Sequence, residues 1–218
     1  MAALYARERT GRGQHISASL FETQISLLIN VGASWLNMKR EGKRFGAAHP
    51  SIVPYNTWQC KDGMWLALAA NNQSQFRILC GKIGRPELLE DERFATNALR
   101  VQHRKAMDAV LDNVFAAKTV DEWLKTLDGS GLAYGPVNSI ERAFAHPQTG
   151  ARDMIQHLQW DALASGQMRA IGMPVKFSDT KGSIRATPPS LGEHADTVLG
   201  EVGYSEDDIR ELREKGVV

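Results

Sequence analysis

The sequence predicts a mixed α+β fold in which one β-hairpin leads into a series of amphipathic helices. Two runs, 55–60 and 64–70, combine aromatic, β-branched and small apolar residues on either side of a tight-turn signal at 61–63. Further along, apolar residues recur at helical spacing between capping residues, glycines and prolines. These helical segments are residues 72–83, 100–117 and 119–127, with an N-cap predicted at Asn72 and a capping box at Thr119 and Glu122.

The composition excludes several classes of function. Lys and Arg total 26 against 25 Asp and Glu, for a net charge of +1, so neither a nucleic-acid surface nor a polybasic membrane patch is indicated. Two cysteines, Cys60 and Cys80, are too few for a disulfide framework or a metal cluster, and they favour reduced, intracellular surroundings. No apolar run is long enough to span a bilayer.

The first ten residues have the pattern of the last turns of a helix. Basic residues precede Gly11, a common helix stop, whereas no capping residue precedes the helix. We therefore expect that the chain begins inside an element and that Met1 is an internal methionine of a longer protein. Charged residues at 7–9 interrupt the apolar stretch, so no signal peptide is predicted.

A short strand is predicted over 14–18, where polar and apolar residues alternate, and a long helix follows it. Ser19 and Glu22 form a capping box, and the helix is expected to reach about Lys39. Its apolar face is broad enough to predict burial on more than one side. The residues of that face are Leu20, Phe21, Ile25, Leu28, Ile29, Trp35 and Leu36.

A basic cluster ends this helix, and two interpretations of it stay open. The cluster consists of Lys39, Arg40, Lys43 and Arg44. Positive side chains at a helix C-terminus compensate the helix dipole without any ligand. Alternatively, the same side chains hold a phosphate or a carboxylate.

The loop that enters the hairpin is the most unusual stretch of the sequence. It runs through Gly46, Ala47, Ala48, His49 and Pro50. Small residues let backbone N–H groups approach a ligand closely, and the proline then restricts the backbone on both sides of it. The loop is either a ligand-facing segment or a simple linker into the hairpin.

The last third of the chain is predicted to combine short strands and short helices. His146-Pro147 is interpreted as a helix stop, because the residue before a proline is disfavoured in a helix. A polar turn around 164–166 is expected to join an antiparallel pair. The predicted strands are 132–137, 154–160 and 168–171, and Gly135-Pro136 interrupts the first of them. The predicted helices are 139–145, 193–201 and 205–215, and residues 172–192 are expected to be irregular.

Familiar catalytic motifs are missing from the sequence. It contains neither a phosphate-binding glycine loop nor a nucleophile elbow or a zinc-protease helix. The six histidines are dispersed, and none pairs with another at the spacing of metal ligands. The residues alone therefore indicate a ligand-facing loop without a complete catalytic set.

An ordered set of short motifs resembles the family III CoA-transferases. The motifs are residues 7–14, 46–55, 61–63, 72 with 75–76, 84–87, 91–94, 134–136, 146–148, 189–194 and 203–205. This family includes formyl-CoA and carnitine CoA-transferases and the α-methylacyl-CoA racemases. With Lys43-Arg44 ahead of it, the stretch 49–55 is most similar to members that use dicarboxylates, such as succinyl-CoA:glutarate CoA-transferase.

The resemblance implies a mechanism and a place for this chain within it. An aspartate attacks an acyl-CoA thioester, and CoA passes to the acceptor acid through an aspartyl-CoA intermediate. CoA thioesters are substrates, with no permanently bound cofactor and no metal. In the family the aspartate lies upstream of the motif at 7–14, so no catalytic residue is expected in this chain. Residues Gly46 to Pro50 correspond to the loop that covers the active site.

The resemblance also implies a domain organisation. Residues 1–41 would end a large α/β nucleotide-binding-like domain and form a linking helix. Residues 42–138 would form a small α+β domain, and 139–218 would return to pack on the large domain. The chain then resembles the C-terminal half of such an enzyme.

The expected partners are acyl-CoA and carboxylic acid substrates, without nucleic acid or membrane, and an interlocked homodimer is expected for the full-length protein. The location would be cytoplasmic in a bacterium, with the mitochondrion an alternative in a eukaryote. Two other functions stay open: a racemase that exchanges the α-proton of an acyl-CoA, and a non-catalytic binding module.

Overall fold

The structure is a computed structural model that describes residues 1–160 and 163–218, and it confirms the predicted α+β class. The strands are β1 (Tyr55–Gln59), β2 (Trp65–Ala69), β3 (Ala133–Val137), β4 (Ile155–Gln159) and β5 (Gln167–Ile171). The helices are α1 (Ala2–Thr10), α2 (Leu20–Leu27), α3 (Ile29–Met38), α4 (Gln73–Lys82), α5 (Asn97–Gln102), α6 (Arg104–Phe115), α7 (Val120–Leu127), α8 (Ile140–Ala145), α9 (Pro147–Ala151), α10 (Ala195–Glu201) and α11 (Glu206–Glu214). Short 3₁₀ helices cover Pro86–Leu89 and Glu92–Phe94.

The chain divides into two compact units, Met1–Pro136 and Val137–Val218. In the first unit, β1 and β2 form the predicted antiparallel hairpin, with Tyr55 opposite Ala69 and Gln59 opposite Trp65. Strand β3 lies beside β2, so the sheet order is β1-β2-β3. The three-part division predicted from the sequence stays a prediction.

The core of the first unit lies between the sheet and the helices α4 to α7. Alternate residues of the hairpin point into it, and Trp58, Leu66 and Leu68 are buried there. The rings of Trp58 and Phe115 lie 5.2 Å apart, and the Trp123 indole donates a hydrogen bond to the Phe115 carbonyl at 2.9 Å. The capping box predicted at the start of α7 is present. These contacts hold the sheet against the helices, so the loop that precedes β1 is attached to a well-packed part of the fold.

Several predicted elements of the first unit are wrong in detail. Residues 14–18 form no strand, because no neighbouring strand in the described part of the chain pairs with them. The long helix is interrupted at Leu28, which separates α2 from α3. A second interruption at His103 separates α5 from α6. Strand β3 continues through Gly135-Pro136, since it lies at the sheet edge, where a missing N–H is tolerated.

The apolar face of the first long helix is exposed, contrary to the predicted burial. None of the residues of α2 or α3 is buried within this chain. Leu20 and Phe21 are 85% and 75% exposed. Ser19 caps α2 as predicted, although the Glu22 carboxylate accepts from the Ser19 hydroxyl, at 2.7 Å. The predicted N-cap at Ser19 is therefore confirmed, but the predicted capping box is incomplete, because the Glu22 carboxylate bonds the Ser19 hydroxyl instead of its backbone N–H. The packing partner expected for the apolar face is not among the described residues.

The second unit contains the predicted antiparallel pair β4 and β5, with Ile155 opposite Ile171. Ser139 caps α8, and α11 opens with a capping box made by Ser205 and Asp208. Residues 172–192 contain neither helix nor strand, as predicted. Within the described ranges, no helix has the length and apolar character needed to cross a membrane.

Candidate functional site

The candidate site is the loop Gly46–Pro50, which hydrogen bonds hold in a compact turn before β1. The Ala48 N–H donates to the Phe45 carbonyl, and the His49 N–H donates to the Tyr55 carbonyl, each at 3.1 Å. Gly46 has a φ of +63°, a conformation that other residues rarely adopt, although an added Cβ would meet nothing within 4 Å. Backbone conformation rather than lack of space therefore requires glycine at this position.

The imidazole of His49 has a defined orientation. Its Nδ1 accepts a hydrogen bond from the Ser51 N–H at 3.1 Å, and the ring centroid lies 5.2 Å from that of Tyr55. An acceptor at Nδ1 places the proton of the neutral ring on Nε2. The half-buried side chain can thus present an Nε2–H donor to a carboxylate or a thioester carbonyl.

A shallow groove of about 250 Å³ lies beside the loop, over the hairpin and β3. Residues 55–57 of β1, 67–69 of β2 and 133–135 of β3 line it. Most of these residues have small side chains. The lining residues include Ala47, Tyr55, Ala67, Ala69, Ala133 and Tyr134. Ala47 joins the groove to the loop, so a ligand in the groove would touch both.

The cysteines and the aspartate of the hairpin and the neighbouring core have structural roles and are not nucleophiles. Burial raises the pKa of the Cys60 and Cys80 thiols to about 11, so both stay protonated at neutral pH. Asp62, predicted as the hairpin-turn residue, accepts from the N–H of Met64 at 3.2 Å and from that of Val120 at 3.1 Å. Both of its carboxylate oxygens therefore stabilise the turn and the start of α7.

No group of three His, Cys, Asp or Glu side chains in residues 1–160 and 163–218 could hold a metal ion. At the predicted basic cluster, Lys39 ends α3 in the left-handed conformation, and its ammonium lies 5.7 Å from the Trp35 ring centroid. Compensation of the helix dipole and binding of a phosphate or carboxylate both stay predictions for this cluster.

His146, the other histidine that precedes a proline, lies in the second unit and caps a helix. It ends α8, as predicted, and its Nδ1 accepts from the Gln148 N–H at 3.1 Å to begin α9. The bond from Nδ1 to the residue two positions later is thus the same at His49 and at His146. It belongs to the His-Pro sequence itself and is not by itself a mark of function.

Three side chains that hold the end of the loop and the segment after it were not predicted from the sequence: Asn97, Arg100 and Arg104. Their side chains bind backbone atoms of residues 49–53. The only sequence signal was their spacing of three and four residues, which places them on one helical face. In the sequence that polar stripe looks like an ordinary solvated surface.

The chain belongs to CoA-transferase family III, whose family description matches residues 1–195. An acyl-CoA transferase from Fusarium pseudograminearum is 46% identical, and the match covers all of this chain and 48% of that protein. The succinyl-CoA:glutarate CoA-transferase of Mus musculus is 37% identical, and the match covers all of this chain and 50% of that protein.

Among solved structures, a CaiB/BaiF family protein from Brucella suis is similar, with a TM-score of 0.74 and 36% identity. This similarity covers 92% of the present chain and 51% of the other. The chain thus spans about half the length of the curated relatives it matches. The family resemblance recognised in the sequence motifs is confirmed.

Proposed function

We propose that the protein containing this chain transfers CoA from an acyl-CoA, such as succinyl-CoA, to a carboxylic acid, with a dicarboxylate such as glutarate as acceptor. The observation that carries the proposal is the similarity along the whole chain to the mouse succinyl-CoA:glutarate CoA-transferase. The loop adds to this support, because His49 can present an N–H donor beside a groove of small side chains.

In the proposed reaction, an aspartate carboxylate attacks the thioester carbonyl, and the CoA thiolate leaves as a mixed anhydride forms. The thiolate then attacks the aspartyl carbonyl of the anhydride and releases the donor acid. The acceptor carboxylate next attacks the carbonyl of the aspartyl-CoA thioester and expels the CoA thiolate, which forms a second mixed anhydride. The thiolate then attacks the acceptor's carbonyl in that anhydride and yields the new acyl-CoA and the free aspartate. Each step exchanges one acyl bond for another, so no oxidant or metal is consumed.

The 218 residues are proposed to supply the loop of the active site without its nucleophile. Following the family, we place the aspartate upstream of the motif at 7–14. Asp62, the first aspartate of the chain, is engaged in the hairpin turn and at α7. In this proposal the isolated chain has no transferase activity, and the whole protein is a homodimer.

CoA exchange between succinyl-CoA and glutarate tests the proposal. The isolated chain, a chimera in which it replaces the matching segment of the mouse relative, and the unaltered mouse relative are assayed in parallel. We expect exchange by the chimera and by the mouse relative only. Hydroxylamine should trap the chimera's intermediate as a hydroxamate at an aspartate outside this chain. Turnover by the isolated chain would refute the proposed location of the nucleophile.

A second measurement separates transfer from racemisation. The chimera is incubated with a branched acyl-CoA that carries deuterium at the α-carbon, without any acceptor acid. A CoA-transferase leaves the deuterium in place, because its chemistry occurs at the carbonyl. Loss of deuterium to solvent without CoA exchange would instead indicate a racemase.

A further inference from the structure

Three polar side chains on one face of α5 and the start of α6 hold the backbone of residues 49–53, which includes the end of the candidate loop and the segment that joins it to β1. Asn97, Arg100 and Arg104 are spaced by three and then four residues, so they point in a similar direction despite the interruption at His103. Each of them donates at least one hydrogen bond to a main-chain carbonyl between His49 and Val53. The loop is therefore fixed from outside by contacts distant in sequence.

Asn97 and Arg100 hold residues 51–53, between the candidate loop and β1. Asn97 donates to the Ser51 carbonyl at 2.8 Å and accepts from the Val53 N–H at 3.1 Å. Arg100 donates through Nε to the Val53 carbonyl at 2.7 Å. Arg100 is fully buried and also donates to the Gln73 side chain, at 2.8 Å. It is thus part of the core and cannot move independently of it.

Arg104 is the outer and more accessible member of the three. One terminal nitrogen of its guanidinium donates to the His49 carbonyl at 2.7 Å and to the Pro50 carbonyl at 3.2 Å. The guanidinium carbon also lies 5.7 Å from the ring centroid of Phe45, at the other end of the loop. Arg104 therefore contacts both ends of the loop while remaining partly exposed to solvent.

We infer that Arg104 is the positioning residue of the loop Gly46–Pro50 and sets where His49 presents its Nε2–H. Its two acceptors are the carbonyls of two successive peptide bonds, His49–Pro50 and Pro50–Ser51, so it fixes the backbone that carries the imidazole. Hydrogen bonds from a charged donor are stronger than neutral ones. Without Arg104, the backbone of residues 46–50 becomes more mobile, while Asn97 and Arg100 keep residues 51–53 in place.

Amide hydrogen exchange of the 218-residue chain tests this inference without any catalytic assay. Arg104→Met keeps much of the side-chain length but removes the charge and the donors. We expect exchange of the Ala48 and His49 amides to rise about tenfold or more, whereas that of the Leu66 and Leu68 amides in β2 stays unchanged. Arg104→Lys, which keeps a single point charge, should give an intermediate rate.

The matched control is Arg77→Met, which removes an exposed arginine from α4 of the same unit. It should leave exchange of the loop at the wild-type rate. Wild-type exchange at Ala48 and His49 in Arg104→Met would overturn the inference. So would an equal rise throughout the hairpin, because that result indicates general destabilisation rather than positioning.

The consequence for catalysis rests on the proposed function and is tested separately in the chimera. If Arg104 acts through His49, the double variant Arg104→Met with His49→Ala loses no more turnover than His49→Ala alone. Additive losses would show that Arg104 acts independently of His49. An inactive parent chimera would count against the proposed function, while the exchange experiment would still decide the role of Arg104.

Discussion

The turns at His49-Pro50 and at His146-Pro147 share a local hydrogen bond and differ in everything beyond it. In both turns, Nδ1 of the histidine accepts from the N–H two residues later, at 3.1 Å. At His146 the next residues begin α9, and Thr149 donates through its hydroxyl to the nearby Ala143 carbonyl at 2.7 Å. That turn is held by local contacts and serves as a helix cap.

The turn at His49 lies instead in the loop Gly46–Pro50, which a side chain distant in the sequence holds. Arg104, 55 positions away in sequence, binds its carbonyl, and the Tyr55 ring packs against its imidazole. A groove lies beside it. The hydrogen bond within each His-Pro turn orients the imidazole in either setting, whereas contacts with the rest of the fold decide whether the ring can face a ligand.

The largest expected effect comes from removing the buried anchor that only the first turn has. Arg100→Met leaves acceptors at Val53, Gln73 and Phe94 without their donor, and we expect a loss of about 2–4 kcal/mol in the free energy of unfolding of the first unit. Urea unfolding followed by the fluorescence of the buried Trp58 and Trp123 measures it. An unchanged midpoint would show that the anchor is dispensable; exposed Arg77→Met serves as the reference.

A smaller effect is expected when each histidine is replaced in the chimera. His49→Ala should lower turnover by about tenfold to a hundredfold, because it removes a donor from the proposed site. His146→Ala should leave turnover near that of the parent, since only a helix cap is lost. Steady-state kinetics with succinyl-CoA and glutarate compare the two variants. An equal loss of turnover in the two variants would mean that the turns do not differ in function. Unchanged kinetics in both would indicate that the loop Gly46–Pro50 is only a linker.

The smallest effect is expected from His49→Asn and His146→Asn. An asparagine oxygen can accept the same N–H two residues on, so exchange of the Ser51 and Gln148 amides should change by no more than about threefold. Turnover of the chimera should still fall for His49→Asn, because the amide does not reach the position of Nε2. Full turnover by His49→Asn would show that the turn, and not the imidazole, is what the site needs.

For the long apolar helix, the sequence pattern predicts the helix correctly but does not predict its burial in this chain. The capping residue Ser19 and the apolar periodicity predict a helix there, and α2 and α3 are present. The same periodicity predicted burial, yet Leu20, Phe21 and Leu36 are largely exposed in this chain. A hydrophobic face requires a partner to cover it, and nothing in the face itself states which residues provide that partner.

The candidate site divides in a similar way between local and distant information. Residues 46–50 were recognisable from small residues followed by a proline, and the hairpin from Lys61-Asp62-Gly63. The side chains that hold the backbone of residues 49–53 were not recognisable in the sequence, because Asn97, Arg100 and Arg104 lie about fifty positions away from it. A buried arginine without an acidic partner is also rare, so sequence reasoning places Arg100 at the surface.

The features that could be predicted from the sequence depend on neighbours within a few residues: the α+β class, the hairpin turn, the caps at Ser19, Asn72 and Thr119, the helix stop at His146, and the order of motifs that marks the family. The contact of Arg104 with the other His-Pro turn is visible in the tertiary structure alone. The reason is physical. A cap is completed by atoms two or three residues away, whereas the position of a loop depends on side chains that folding brings to it.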